Sequence, residues 1–167
     1  MSDAEPKPLV PAAMRTFLVV VDDSPELKVA LRYACRRARA TGGRVAMLRV
    51  VEPAEYQHWM AVGDIMREER RQEAEELLHS LSEDVMRLSG QMPAYYVREG
   101  SAAEELLKLI DEEPSISILV LGAGTGKEGP GPLITYLVNK ASHRLHVPIT
   151  IVPGNMAEAQ VDVLTPI

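Results

Sequence analysis

The sequence predicts a single α/β domain, doubly wound, with a five-stranded parallel sheet covered by helices on both faces. Three observations carry this. Five short β-type runs alternate with four helical patterns, and strands separated by helices of such length make βαβ units with right-handed crossovers. The first run, Phe17-Leu18-Val19-Val20-Val21, is unbroken apolar sequence, as a strand buried on both faces requires. The chain has 167 residues, which suits one core better than two.

Asp22-Asp23-Ser24-Pro25 stops the first strand, with Ser24 the candidate N-cap of the next helix and Pro25 its first residue. Leu27, Ala30, Leu31, Ala34, Cys35 and Ala38 then recur at helical spacing as far as Gly42-Gly43. Arg44 to Val51 is the second strand, closed by Glu52-Pro53. A long charged helix follows from about Tyr56 to Leu88, with Leu77, Leu78, Leu81, Val85 and Leu88 on one stripe and Gly63 at its start or at a kink. Ala94 to Arg98 is the third strand. The helix entered at Gly100-Ser101 turns Ala103, Leu106, Leu107 and Ile110 inward and closes at Pro114. Ile116 to Leu121 is the fourth strand, and a Gly-rich loop runs from Gly122 to Gly131. Pro132 opens the last helix, with Ile134, Leu137, Val138, Ala141 and Leu145 inward, and Pro148 to Val152 is the fifth strand. Residues 1–13 read as a flexible tail and 155–167 as a tail or short arm, on either side of a domain spanning 14–154.

Composition narrows the function. Aromatics are only 4%, so Val, Leu, Ile, Ala and Met must fill the core. A net charge of −6 argues against nucleic acid or an anionic membrane as the partner. Arg32, Arg36, Arg37 and Arg39 cluster on the polar face of the first helix and read as solvated surface. Cys35 is the one cysteine, lies in an apolar stripe and has no disulfide partner. His58, His79, His143 and His146 are scattered without metal-ligand spacing. No run approaches the roughly 18 apolar residues of a membrane span. The polar, Pro-rich start lacks the marks of a signal peptide, so the expected location is the cytoplasm.

In doubly wound sheets ligands sit beyond the carboxyl ends of the strands, where the strand order reverses. That rule points to Asp22, Val50, Gly100 and the loop from Gly122. A carboxylate at Asp22 accepts hydrogen bonds from a ribose or an adenine amine; Asp22 or Asp23 as a helix cap is the plainer reading. The loop offers Gly122, Gly124, Gly126, Gly129 and Gly131, whose freedom to take positive φ turns N–H groups toward an anion. The dipole of the helix at Pro132 and the charge of Lys127 add to that, against the alternative of a plain surface loop. A Walker A reading fails, because Leu121 stands where its first glycine belongs and Glu128 where its hydroxyl belongs. Gly124-x-Gly126-x-x-Gly129 matches the dinucleotide fingerprint but follows the fourth strand instead of the first. Ser24, Ser101 and Ser142 have no base partner, and Glu68 to Glu76 reads as ion pairs on an exposed helix. The chain therefore reads as a binding module, not an enzyme.

Four segments, in this order and spacing, resemble the universal stress protein family over about Met14 to Gly154. Val19-Val20-Val21-Asp22-Asp23-Ser24 is similar to the family's first strand ending in Asp-Gly-Ser or Asp-Phe-Ser. Arg49-Val50-Val51 is similar to its His-Val-Val or His-Val-Ile. Arg98-Glu99-Gly100-Ser101-Ala102 resembles its Gly-x-Pro-x-x-x-Ile turn, and Val147-Pro148-Ile149-Thr150-Ile151-Val152 its Cys-Pro-Val-Leu-Val-Val.

The resemblance implies an adenine nucleotide alpha hydrolase-like fold, with Asp22 and Val50 on the adenosine side. Phosphates would lie over a Gly-x-x-Gly, nine-residue, Gly-Ser/Thr motif. In register with Leu121, this sequence has Gly122, Thr125, Thr135 and Tyr136 at those positions, so only the first glycine survives. A second register, through Gly126 and Gly129 to Asn139-Lys140, keeps two glycines but sets the third position deep in the helix. The implied ligand is ATP, with Mg, or AMP, with ATP weakened. The implied assembly is a homodimer through the edge strand Pro148 to Val152. The rival is a dimeric protein-interaction module with an empty cleft and an unknown protein partner.

Overall fold

The computed structural model describes residue 11, residues 15–53 and residues 60–167. The predicted N-terminal tail lies almost wholly outside these residues, as does the expected helix start at Tyr56. β1 (Thr16–Val20), β2 (Arg44–Val51), β3 (Ala94–Glu99), β4 (Ile116–Ala123) and β5 (Ile149–Pro153) form one parallel sheet in the order β3-β2-β1-β4-β5. They alternate with α1 (Leu27–Thr41), α2 (Met60–Ser89), α3 (Ala102–Glu112) and α4 (Pro132–Asn139), and α5 (Glu158–Leu164) follows the last strand. Among the described residues no helix is long and apolar enough to cross a membrane.

The unbroken apolar run of β1 divides between two cores, as its pleat dictates. Phe17, Val19 and Val21 pack with α1, α2 and α5, while Leu18 and Val20 pack with α3 and α4. Cys35 is fully buried in the first core, and desolvation pushes its thiol up to about 12.

Several elements depart from their sequence expectations. α1 begins at Leu27, and Ser24 is not its N-cap: the Ser24 N–H and hydroxyl both donate to Asp22 Oδ1, closing a local turn before the helix. α2 already runs at Met60, so Gly63 does not mark its start. β4 continues through Gly122 and Ala123, two residues beyond the expected end. α4 stops at Asn139, and a 3-10 turn at Ser142–Arg144 carries the chain on. Ile134, Leu137 and Ala141 are buried, but Val138 is 52% exposed although it shares their helical spacing.

The largest departure is after Gly154. The expected tail or arm is a helix, α5, and two of the arginines read as solvated surface, Arg32 and Arg36, hold it. Arg32 Nε and Nη2 donate to the two carboxylate oxygens of Asp162 at 2.7 and 2.8 Å. Arg36 donates to the Thr165 hydroxyl and to the last carbonyls of the helix, at Asp162 and Thr165. Val161 is buried beneath them. The Arg32 fork holds the Asp162 carboxyl below its ordinary value.

Candidate functional site

From β1 the chain winds outward to β2 and β3 over one face, then returns over the other to β4 and β5. The carboxyl ends of β1 and β4 therefore bound the crevice where strand order reverses. Two cavities open there. The first, about 540 Å³, is bounded by Val20 of β1, Val50 of β2, Leu121 and Gly122 of β4, the start of α4, and one face of α2. The second, about 730 Å³, lies between the Asp22–Glu26 turn, the Gly-rich loop and the outer side of α4. Asp22 and Gly122 line both.

Gly122 is fixed by a close approach. A Cβ there would sit 2.7 Å from the Glu26 carbonyl oxygen and 2.9 Å from Glu26 Cβ, so only glycine lets the β1–α1 turn lie against β4. Beside it, Asp22 Oδ1 accepts both hydrogen bonds from Ser24. Oδ2 has no protein donor among the described residues and is available to a ligand. Asp22 therefore serves in the turn and lines the cleft at once.

The sequence expectations divide between the two cavities. Asp22, Asp23, Val50, Leu121 and Gly122 meet at the first. Ser24, Gly124, Thr135 and Tyr136 line the second, with Asp22 and Gly122 again. Thr125, Gly126 and Lys127 line neither: they belong to an exposed outer turn. The reason is that the loop bonds to itself. The Gly124 N–H donates to Pro130 O and the Gly129 N–H to Gly126 O, each at 3.2 Å, which takes two of the amides expected to face an anion. Positive φ is confined to its far end, at Gly129 and Gly131, where Gly131 precedes α4 at φ 116.

Side chains at and near the positions expected to meet phosphates have protein neighbours of their own. The Thr135 hydroxyl donates to Gly131 O at 2.9 Å, within its own helix. Glu104 is held below its ordinary value chiefly by the Arg144 fork, with Tyr136 the smallest of the contributions. Among the described residues three carboxylates line the second cavity, Asp22, Glu26 and Glu128, against one ammonium, Lys140.

Sequence reasoning missed the α2 wall of the first cavity, with Arg70, Glu73, Ala74 and Leu77, and missed Arg49. Arg49 donates to Val21 O at 3.3 Å and to both carboxylate oxygens of Asp23 at 3.1 and 3.2 Å. A signal was present: a charge next to Val50, directly after the buried run Val45 to Leu48.

A family model described as the Universal stress protein family matches residues 14–153. Among solved structures the chain is similar to the universal stress protein UspA from Lactobacillus plantarum, at 19% identity over 83% of this chain and 97% of that one, with a TM-score of 0.70. It is similar to the universal stress protein from Archaeoglobus fulgidus in complex with dAMP, at 20% identity over 83% and 97% of the chains, TM-score 0.55. A universal stress protein in complex with cAMP matches at 16% identity over 84% and 98%, TM-score 0.50. No curated protein sequence matches the chain. α5 lies beyond the residues the family model matches.

Proposed function

The chain belongs to the universal stress protein family, and from that premise we propose that it is a small binding and regulatory module whose cleft takes an adenine nucleoside or nucleoside monophosphate and holds ATP weakly. One observation carries this reading: Asp22 and Val50, at the ends of adjacent strands, line a single cavity with Gly122 at the switch point. Val20, Val50, Leu121 and Ile134 offer apolar surface to a base, and the second oxygen of Asp22 offers an acceptor to a ribose hydroxyl or an adenine amine. Two of the similar proteins are in complex with dAMP and cAMP, ligands of the same class.

The triphosphate side favours fewer phosphates. A β- or γ-phosphate entering the second cavity would meet Asp22, Glu26 and Glu128, with Lys140 alone among the described lining residues to offset them. Magnesium carried in with ATP would relieve part of that repulsion. A single phosphate near Gly131 would instead meet the amide end of α4.

The same proposal includes a homodimer. Among the described strands β5 pairs only with β4, and Ile151 is 43% exposed along its length. A second copy of β5 would satisfy that edge. Light scattering after gel filtration should give twice the monomer mass, and a monomer at micromolar concentration would remove this part.

Ligand released from freshly purified protein and identified by mass spectrometry tests the main reading. Adenosine or a monophosphate is the expected result. An empty cleft that takes up none of these when they are added favours a protein-interaction module.

A further inference from the structure

We propose that Arg49 is a positioning residue: its guanidinium holds the β1–α1 turn so that the Asp22 carboxylate is presented to the nucleoside. This rests on the nucleoside reading above. Alternation along β2 sends Leu48 and Val50 to the α3/α4 core and Met47 to the α1/α2 core. Arg49 follows Met47, and its side chain crosses the end of β1 instead of entering solvent. Nη1 donates to the carbonyl of Val21, and Nη2 spans both oxygens of Asp23. These acceptors flank Asp22 on either side. With Ser24 bonded to Asp22 Oδ1 and the Val21 N–H bonded to Leu48 O at 2.7 Å, every residue from Val21 to Ser24 is held.

The magnitudes separate a positioning role from a stabilising one. Asp23 is 84% exposed, so the Arg49–Asp23 pair contributes little to folding. Fixing a short turn before the ligand arrives is a different matter, because an unfixed turn must be ordered at the moment of binding. A planar fork can serve a carbonyl and a carboxylate together, whereas a lysine ammonium acts as a point charge.

The test is adenosine binding by calorimetry, with thermal melts, on wild type, Arg49→Met, Arg49→Lys, Asp23→Ala, Asp22→Ala and Asp22→Ala/Arg49→Met. Arg49→Met should weaken adenosine about tenfold, with Arg49→Lys in between, while the melting temperature moves by no more than about 4 °C. Asp23→Ala, on the exposed end of the same fork, should shift binding in the same direction. In the Asp22→Ala background, Arg49→Met should cost nothing further, because Arg49 acts through Asp22. Wild-type affinity in Arg49→Met, or an equal loss with and without Asp22, overturns the inference and leaves the nucleoside reading standing. A wild-type protein that binds no adenosine removes both.

Discussion

The turn from Val21 to Glu26 and the loop from Gly124 to Gly131 border the same cleft and are built in opposite ways. The turn is tied to its neighbours: Val21 bonds to β2, Arg49 reaches over from β2, and the Glu26 backbone lies against Gly122 of β4. The loop is tied to itself, through Gly124 to Pro130 and Gly126 to Gly129, and its middle faces solvent. Changes in the turn must be felt across the sheet, whereas the loop can be rewritten without disturbing the core. That contrast is what the proposed reading needs, with a nucleoside side held in place and a triphosphate side free to vary.

The largest effect should come from the residue both regions share. Gly122→Val would drive side-chain atoms into the Glu26 backbone, costing about 3 kcal/mol of stability and abolishing binding at both cavities. Denaturant unfolding measures it; a variant as stable as wild type would break the claim that the turn is fixed by contact with β4. Asp22→Ala should come next, with a loss of about 1.5–3 kcal/mol in nucleoside affinity. Stability should fall by no more than about 1 kcal/mol, for the exposed turn bonds lost from Ser24. Calorimetry and melts on one variant separate the two. Val161→Ala is the contrast away from the cleft: it should cost about 1–2 kcal/mol by opening space under α5, yet leave ligand affinity unchanged. The loop side should respond least to repair. Thr135→Gly/Tyr136→Ser should strengthen ATP by only about 1 kcal/mol, because the acidic lining of the second cavity remains.

Acid gives a further contrast. Asp162 titrates below its ordinary value because Arg32 bonds its charged form and Arg36 attracts it. Its contribution is therefore present above the usual aspartate value of about 3.9 and is lost as pH falls through its lower folded value. Methyl NMR of Val161 should show α5 docked at pH 5 and loosening only in stronger acid.

Much of the fold was legible because the signals were local. β1 announced a strand buried on both faces, and Gly-Gly and Pro marked the limits of α1, α3 and α4. What the sequence hid was long-range. Arg32 and Arg36 read as surface because their partners, Asp162 and Thr165, lie some 130 and 129 positions away. The glycines of the loop advertised an anion nest because glycine permits one, but the bonds from Gly124 and Gly129 use the amides internally. Arg49 was passed over because its acceptors, Val21 O and Asp23, become neighbours only once β1 and β2 pair.

The claim that the nucleoside side is intact and the triphosphate side is not rests most directly on one ratio. Calorimetry of wild-type protein with AMP and with magnesium-ATP, at the same ionic strength, measures it. The account predicts that AMP binds at least as tightly as magnesium-ATP, since the added phosphates meet Asp22, Glu26 and Glu128. Magnesium-ATP bound about tenfold or more tightly than AMP, a difference of about 1.4 kcal/mol, would contradict it.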